Sequence, residues 1–469
     1  MATTGGSITV LDRCLMTPPP GLVSRMSLRL TVFDMLWLYG PPVQRLVFYE
    51  IPGITKTNFL DEIIPKLKDS LTLTLKYYIP FAGNLIIPRN SDSSSPEILY
   101  KQGDSVPMIL TESNTMDFEL LVTNYAKDCS ELYPLVPELV RLADDGSSGS
   151  IVSSVLAIQV TLFPNMGISI GLTNHQAAGD ASTVFRFMKI WASYSKDGEE
   201  QTAQALDTSH GGNLAPPFYY RTVIRDPKGL STILWNQWNS FISTDPGSGI
   251  SSNTYKVRKS FLISAKNIEK LTKLVSTRLH RPVHLTSFKV VCAYVWVCLL
   301  KSRGEEVVDR EEIENFVCFG NCRKLLGHLV SENYFGSCLT VCVAKGKNGE
   351  LVGEGGLPRA VGLIGAAMTE KLHNKEAPLD GAEKWLIDLK NLNLDRAVRV
   401  AGAPKINFYQ VDFGWGEPKK FEFVSIDKTG AISLCGGRKC KRDVEVGLSL
   451  PKARMDAFAA IFQEGLKAI

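Results

Sequence analysis

The chain has 469 residues, of which 44% are hydrophobic and 21% charged, a composition that fits a globular protein of two or three domains and excludes a disordered or fibrous one. Lys and Arg total 52 against 48 Asp and Glu, a net charge of +4. With no Lys/Arg block, that balance argues against a nucleic-acid partner and leaves room for a small anionic ligand.

The longest apolar run, residues 290–300, is far short of the roughly 20 residues of a membrane span. Arg13 and Pro18-Pro19-Pro20 break any signal-peptide pattern, and the last four residues match no lipidation or retention signal. The expectation is a soluble, cytoplasmic protein with no membrane partner. In such a compartment, cysteines in apolar stretches (Cys292, Cys298, Cys338, Cys342) are expected to be buried, reduced thiols. Cys318/Cys322 and Cys435/Cys440 are close pairs, but they lack CxxC spacing and a nearby His, so no metal site is expected.

Residues 45–49 read as a strand. Over residues 58–77, Leu60, Ile63, Ile64, Leu67, Leu71 and Leu75 recur at helical spacing. Polar, Gly/Ser/Asp-rich stretches at 90–96, 144–154, 194–217 and 243–254 read as loops or linkers. The last two place a boundary near the middle of the chain. The expected organisation is an N-terminal domain over 1–205, a crossover over 206–250 and a C-terminal domain over 251–469. Residues 155–162 and 168–173 alternate in side-chain character around Pro164-Asn165-Met166-Gly167, which reads as a β-hairpin. After it, Val184, Phe187, Met188 and Trp191 form the inward face of a helix starting near Asp180. Residues 288–300 read as a buried helix, 361–372 as another, and 407–413 and 421–426 as strands. The class is mixed α/β.

The hairpin's second strand runs into Asn174-His175-Gln176-Ala177-Ala178-Gly179-Asp180. His175 thus sits at a strand end leading into a helix, a place where a rigid scaffold often positions reactive groups. By itself HxxxD is a weak signal. The competing reading is a strand-end His satisfied by a backbone carbonyl, with Asp180 capping the helix. No G-x-S-x-G elbow, Walker A loop or H-E-x-x-H is present. Gly353-Glu354-Gly355 opens like a dinucleotide loop, but Pro358 stands at the third glycine position.

Near the other end lies Asp412-Phe413-Gly414-Trp415-Gly416. HxxxD in mid-chain followed by DFGWG resembles the BAHD acyltransferases, a plant coenzyme A-dependent family, and the likeness covers nearly the whole chain. Residues 67–71 and 80–85 resemble the family's early helix and PLAGNL segment, with Phe81 where Leu is usual. Residues 37–49 (WLYGPPVQRLVFY), residues 333–338 (NYFGSC, with Ser337 where Asn is usual) and Ala403-Pro404-Lys405 resemble the anthocyanin and phenolic-glucoside malonyltransferases. The resemblance implies a chloramphenicol acetyltransferase-like fold of two α/β domains with mixed sheets and an interdomain channel meeting at His175.

It also implies direct acyl transfer from malonyl-CoA, a co-substrate, to a sugar hydroxyl of a flavonoid, anthocyanin or naphthol glucoside. His175 would act as general base, because a neutral imidazole can take the hydroxyl proton as the ester bond forms. No permanent cofactor or metal is implied. Asp180 invites a triad reading, whereas the resemblance implies that it pairs with Arg323 and shapes the site. The DFGWG residues Asp412, Phe413, Gly414, Trp415 and Gly416 would support the CoA channel. Ser264 and Lys266 match a segment that contacts CoA. A malonyl carboxylate needs a cation; Arg186, roughly 16 Å along a helix from His175, and Lys405 are the candidates. An aromatic or acetyl donor on the same fold, or a catalytically silent binding protein, are the alternatives. The expected state is a monomer.

Overall fold

The computed structural model describes residues 7–88, 95–142, 150–206, 214–244, 255–278, 284–304, 309–327 and 330–469. Of the expected loops, 90–94, 144–149, 207–213 and 245–254 lie outside the described residues.

Three sheets organise the chain. The first has six strands in the order Thr9–Met16, Val106–Glu112, Leu156–Phe163, Gly167–Asn174, Val43–Glu50 and Lys420–Glu422. The second has seven: Leu339–Lys347, Ile313–Asn321, Ala397–Gly402, Ile432–Gly436, Val444–Leu450, Val257–Ile263 and Lys127–Asp128. The third is a five-stranded sheet, Arg25–Arg29, Glu97–Lys101, Asn84–Pro88, Ser150–Ser154 and Arg141–Leu142. The halves of the chain exchange strands: Lys420–Glu422 pairs with Val43–Glu50, and Lys127–Asp128 with Val257–Ile263.

The expected hairpin forms between Leu156–Phe163 and Gly167–Asn174, with Leu156 opposite Asn174 and Phe163 opposite Gly167. Asn165 takes φ 65° in its turn, a conformation Asn tolerates better than most residues. Every residue of both strands is buried. One face of the sheet packs on the main core and the other on a smaller cluster with Leu132, Leu135 and Val136. That double cover gives the strands no solvent-facing side.

Several elements depart from the sequence reading. The stretch expected as a loop from 194 is helical to Leu206, within Ala181–Leu206; only Gly198, at φ 83°, breaks the helix. Its second turn-set stays helical because Thr202 and Leu206 are buried. Ser150–Ser154 is a strand, since it finds a partner in Asn84–Pro88. The helix expected over 58–77 runs Lys56–Asn58 and Ile64–Leu75 through a π turn at Phe59–Ile63. Pro65 has no N–H and would crowd the carbonyl four residues back, which a widened turn relieves. Residues 407–413 are not a strand: Asn407 Oδ1 accepts from Tyr409 N–H at 3.0 Å and starts a 3-10 turn, Phe408–Gln410. The strand expected over 421–426 is Lys420–Glu422, followed by a helical turn, Ile426–Thr429.

The second half has its own core around Ser287–Lys301, whose residues from Lys289 to Leu300 are all buried. A helix apolar on every side is one that packs on every side. Val361 lies inside a longer helix, Gly356–Leu372. Where the sheets exchange strands, a buried ionic cluster forms. Glu422 accepts from Arg258 at 3.0 Å and Lys127 at 3.2 Å, and Arg258 also reaches Asp427 at 2.6 Å. All ten cysteines are free thiols. No helix among the described residues is long and apolar enough to cross a membrane.

Candidate active site

His175 is the first residue past the strand Gly167–Asn174 and is 8% exposed. Its N–H donates to Val155 O at 2.9 Å, which carries the hairpin ladder one residue further. Its Nδ1 accepts from Ala177 N–H at 3.2 Å, so the ring caps the short 3-10 turn Gln176–Ala178. Asn174 fixes the rest of the turn: its Nδ2 donates to His175 O at 3.0 Å and to Gly179 O at 3.3 Å. Asn174 is held in turn by Arg45, whose Nη1 donates to Asn174 Oδ1 at 2.6 Å.

Asp180 faces the second half of the chain. Its Oδ2 accepts from Arg323 Nη1 at 2.6 Å and from Cys338 N–H at 3.3 Å. Its Oδ1 accepts from Arg323 Nη2 at 3.0 Å and from the N–H groups of Ser182 and Thr183 at 3.1 Å. The carboxylate therefore caps the helix Ala181–Leu206 and forms a two-point pair with Arg323. Burial works against the Arg323 charge, but Asp180 together with the nearby Cys338 and Cys322 offsets it, so the guanidinium pKa is raised. Arg323 also donates to Gly336 O at 2.9 Å.

The segment Tyr334 to Cys338 is clamped from a second side, by residues sequence reasoning did not single out. Asp34 is fully buried and accepts from Ser337 N–H at 2.8 Å and from Arg221 Nη1 at 3.3 Å. Arg221 donates to Phe335 O at 2.9 Å and to the Tyr334 hydroxyl at 2.7 Å. Ser337 Oγ accepts from Trp37 Nε1 at 3.2 Å, so the two stretches that carried the finer resemblance touch one another. Gly336 takes φ 127°, a backbone conformation that favours glycine, and a Cβ there would crowd Arg221 Nη1. The only signal for Asp34 in the sequence was a lone carboxylate in an apolar run.

The DFGWG residues form a brace. Asp412 Oδ1 accepts from Gly414 N–H at 2.8 Å and Gly416 N–H at 2.9 Å, and its Oδ2 accepts from Lys196 at 2.7 Å. Both glycines have positive φ, 106° and 92°, which closes the turn on the carboxylate. Phe413 packs edge-on against Trp191 at 4.9 Å and Tyr49 at 5.8 Å, and Trp415 lies 5.5 Å from Tyr49. Tyr49 hydroxyl donates to Val411 O at 2.9 Å. The motif thus ties the helix that follows His175 to the strand Val43–Glu50.

Ser264 caps the helix Ala265–Arg278, its Oγ accepting from Asn267 N–H at 3.2 Å; Lys266 lies in the first turn. Ala265 N–H donates to Asp443 Oδ1 at 2.8 Å, which brings the turn 437–443 alongside. That turn carries Arg438, Lys439, Lys441 and Arg442, a cationic set the sequence reading passed over. Burial, Arg186 and Lys441 together lower the pKa of Lys189 on the helix Ala181–Leu206. Arg186 itself is half-buried and 4.0 Å from Glu332, and Lys405 is exposed.

The Transferase family model matches residues 7–464. The chain is 41% identical over 463 residues to phenolic glucoside malonyltransferase 1 of Nicotiana tabacum, covering 98% of this chain and 99% of that protein. It is 38% identical to the malonyl-coenzyme A:anthocyanin 3-O-glucoside-6''-O-malonyltransferase of Dahlia pinnata, covering 98% of each. Among solved structures, vinorine synthase superposes with a TM-score of 0.68 at 18% identity over 96% of each chain. F. graminearum TRI101 complexed with coenzyme A and T-2 mycotoxin gives 0.67 at 12% identity, over 93% of this chain and 97% of that one. The chain belongs to the BAHD acyltransferase family and has its fold.

Proposed function

We propose that this enzyme transfers malonyl from malonyl-CoA to a sugar hydroxyl of a phenolic glucoside, with His175 as the general base. The observation that carries the reading is the His175 turn, held by Asn174 and braced by Asp180–Arg323 from the other half, in a chain matched end to end by named malonyltransferases. The two-domain division at 206–250, with a channel between, is part of the same reading. So is a cytoplasmic monomer.

In the proposed step the imidazole accepts the sugar hydroxyl proton at Nε2 while the oxygen attacks the thioester carbon. Nε2 can accept a proton only in the Nδ1-protonated tautomer. In that form the Ala177 N–H contact must lengthen; at 3.2 Å it is a long hydrogen bond and costs about 1 kcal/mol to give up. The tetrahedral oxyanion then collapses, the C–S bond breaks, and the imidazolium returns its proton to the CoA thiolate. Asp180, with its oxygens engaged by Arg323 and three backbone N–H groups, holds the turn and takes no proton. The DFGWG brace supports the channel. The turn 437–443, which carries cations, is tied to the helix start next to Ser264 and Lys266 through Ala265 N–H and Asp443, and these cations would give the phosphates of the donor charge complementarity.

The test is release of CoA thiol from malonyl-CoA, with and without a naphthol or flavonoid glucoside, by wild type and His175→Ala. The expected result is acceptor-dependent release that falls about 10²–10⁴-fold in the variant. Release with coumaroyl- or acetyl-CoA but not malonyl-CoA would overturn the donor. Undiminished release by a folded His175→Ala would overturn the base.

A further inference from the structure

Arg45 is a buried cation that forms no ion pair among the described residues. It projects from the strand Val43–Glu50, which pairs with the strand that ends at His175; Leu172 lies opposite Arg45, and Asn174 lies two residues on, toward the same face. The side chain is 3% exposed. Its guanidinium sits over Phe423 at 5.1 Å and Phe408 at 5.9 Å. Among the described residues its guanidinium donates to the neutral amide of Asn174, and its Nε has no partner.

The charges around the His175 turn can be summed. Asp180 is matched by Arg323 at 2.6 Å. Asp34, on the helical turn Val32–Met35 that packs against Gln176–Ala178, is matched by Arg221 at 3.3 Å. The thiols of Cys322 and Cys338 and the phenol of Tyr334 are all pushed up by burial, so they stay neutral at pH 7. Among these described groups, two carboxylates and two guanidinium groups cancel, and Arg45 adds one positive charge next to the turn. Burial pushes the guanidinium down to about 9, with Asp180 opposing that shift, so it remains protonated at neutral pH.

A fixed positive charge beside an imidazole disfavours the imidazolium, since like charges repel strongly where water is excluded. Arg45 also orients the Asn174 amide, because a guanidinium can only donate and therefore must face Oδ1. That leaves Nδ2 toward the carbonyls of His175 and Gly179. We propose that Arg45 is the positioning residue of this site: through Asn174 it sets the His175 turn, and through its charge it keeps His175 in the neutral, proton-accepting form. The inference rests on His175 acting as base.

Two variants test it. Arg45→Met removes the cation at similar length, and Asn174→Asp places a carboxylate against it. Both take away the excess positive charge, so in both the acid limb of kcat against pH should move up by about half a unit or more. The expected sign is a larger loss of turnover at pH 6 than at pH 8, relative to wild type. For an enzyme too slow to assay, the pH dependence of His175 carbethoxylation, taken as the difference from His175→Ala, reads the same group without turnover. Acid limbs within about 0.2 unit of wild type in both folded variants would overturn the role of Arg45. Full activity of His175→Ala would instead overturn the base on which it rests.

Discussion

Asp180→Asn separates a structural brace from a catalytic partner. The substitution is nearly isosteric, but it leaves the Arg323 guanidinium buried without its counter-ion; the two side chains are 2% and 1% exposed. Removing one member of such a pair costs about 3–5 kcal/mol. Two features favour the low end: Arg323 keeps Gly336 O at 2.9 Å, and the amide oxygen can go on accepting from Ser182 and Thr183. A loss of about 3 kcal/mol would lower the melting temperature by roughly 3 °C in a chain of this size. Arg323→Met should cost a similar amount by stranding Asp180. The double variant should be less destabilised than the sum by about 1–3 kcal/mol, because neither charge is then left alone. Thermal melts of the four proteins at one scan rate, with thiol release measured well below the lowest melting temperature, check both parts. The folded Asp180→Asn enzyme should retain far more turnover than His175→Ala. A variant that melts with wild type yet loses transfer as completely as His175→Ala would refute the argument and place Asp180 in the chemistry.

Asp412→Ala removes the acceptor of two backbone N–H groups and of the half-exposed Lys196 ammonium, and should lower stability by about 0.5–1.5 kcal/mol, read as a shifted urea midpoint; an unmoved midpoint would mean that the brace carries no load. Burial raises the pKa of Glu422, but Lys127, Lys420 and Arg258 outweigh it and hold the carboxyl down at about 2. Because this folded value lies below the unfolded one of about 4.3, its stabilisation is complete above that pH and is lost as pH falls through about 2. Glu422→Gln should therefore be less stable at pH 7 and show a flatter decline in melting temperature below about pH 4. A decline as steep as that of wild type would show that other carboxyls govern acid unfolding.

Much of the local structure was legible in the sequence. Two-residue alternation gave the hairpin 156–174, and three- and four-residue steps gave the helix after Asp180, because those periods follow directly from where successive side chains point. His175 at the strand end followed from those two elements alone. Two stretches misread as loops, 150–154 and 194–206, are polar in composition; what makes one a strand and the other a helix is a partner supplied from elsewhere, Asn84–Pro88 in the first case and the core under Thr202 and Leu206 in the second. DFGWG carried the family, though not its contacts with Lys196, Trp191 and Tyr49.

What only the tertiary structure decided is how charges are matched across the chain. Arg221 meets Asp34 over 187 residues and Arg258 meets Glu422 over 164; the Asp180–Arg323 pair, over 143 residues, was implied by the resemblance, and the structure supplied its geometry. Nothing in a local pattern distinguishes these cations from the other Lys and Arg, which number 52 in all. A salt bridge is set by position in space, whereas periodicity records only the faces of single elements. The same holds for Arg45, which lies in the sequence as one cation in an apolar strand. Its proposed role appears only when Asp180 and Asp34 are seen to be already paired with Arg323 and Arg221, while Arg45 itself meets the neutral amide of Asn174.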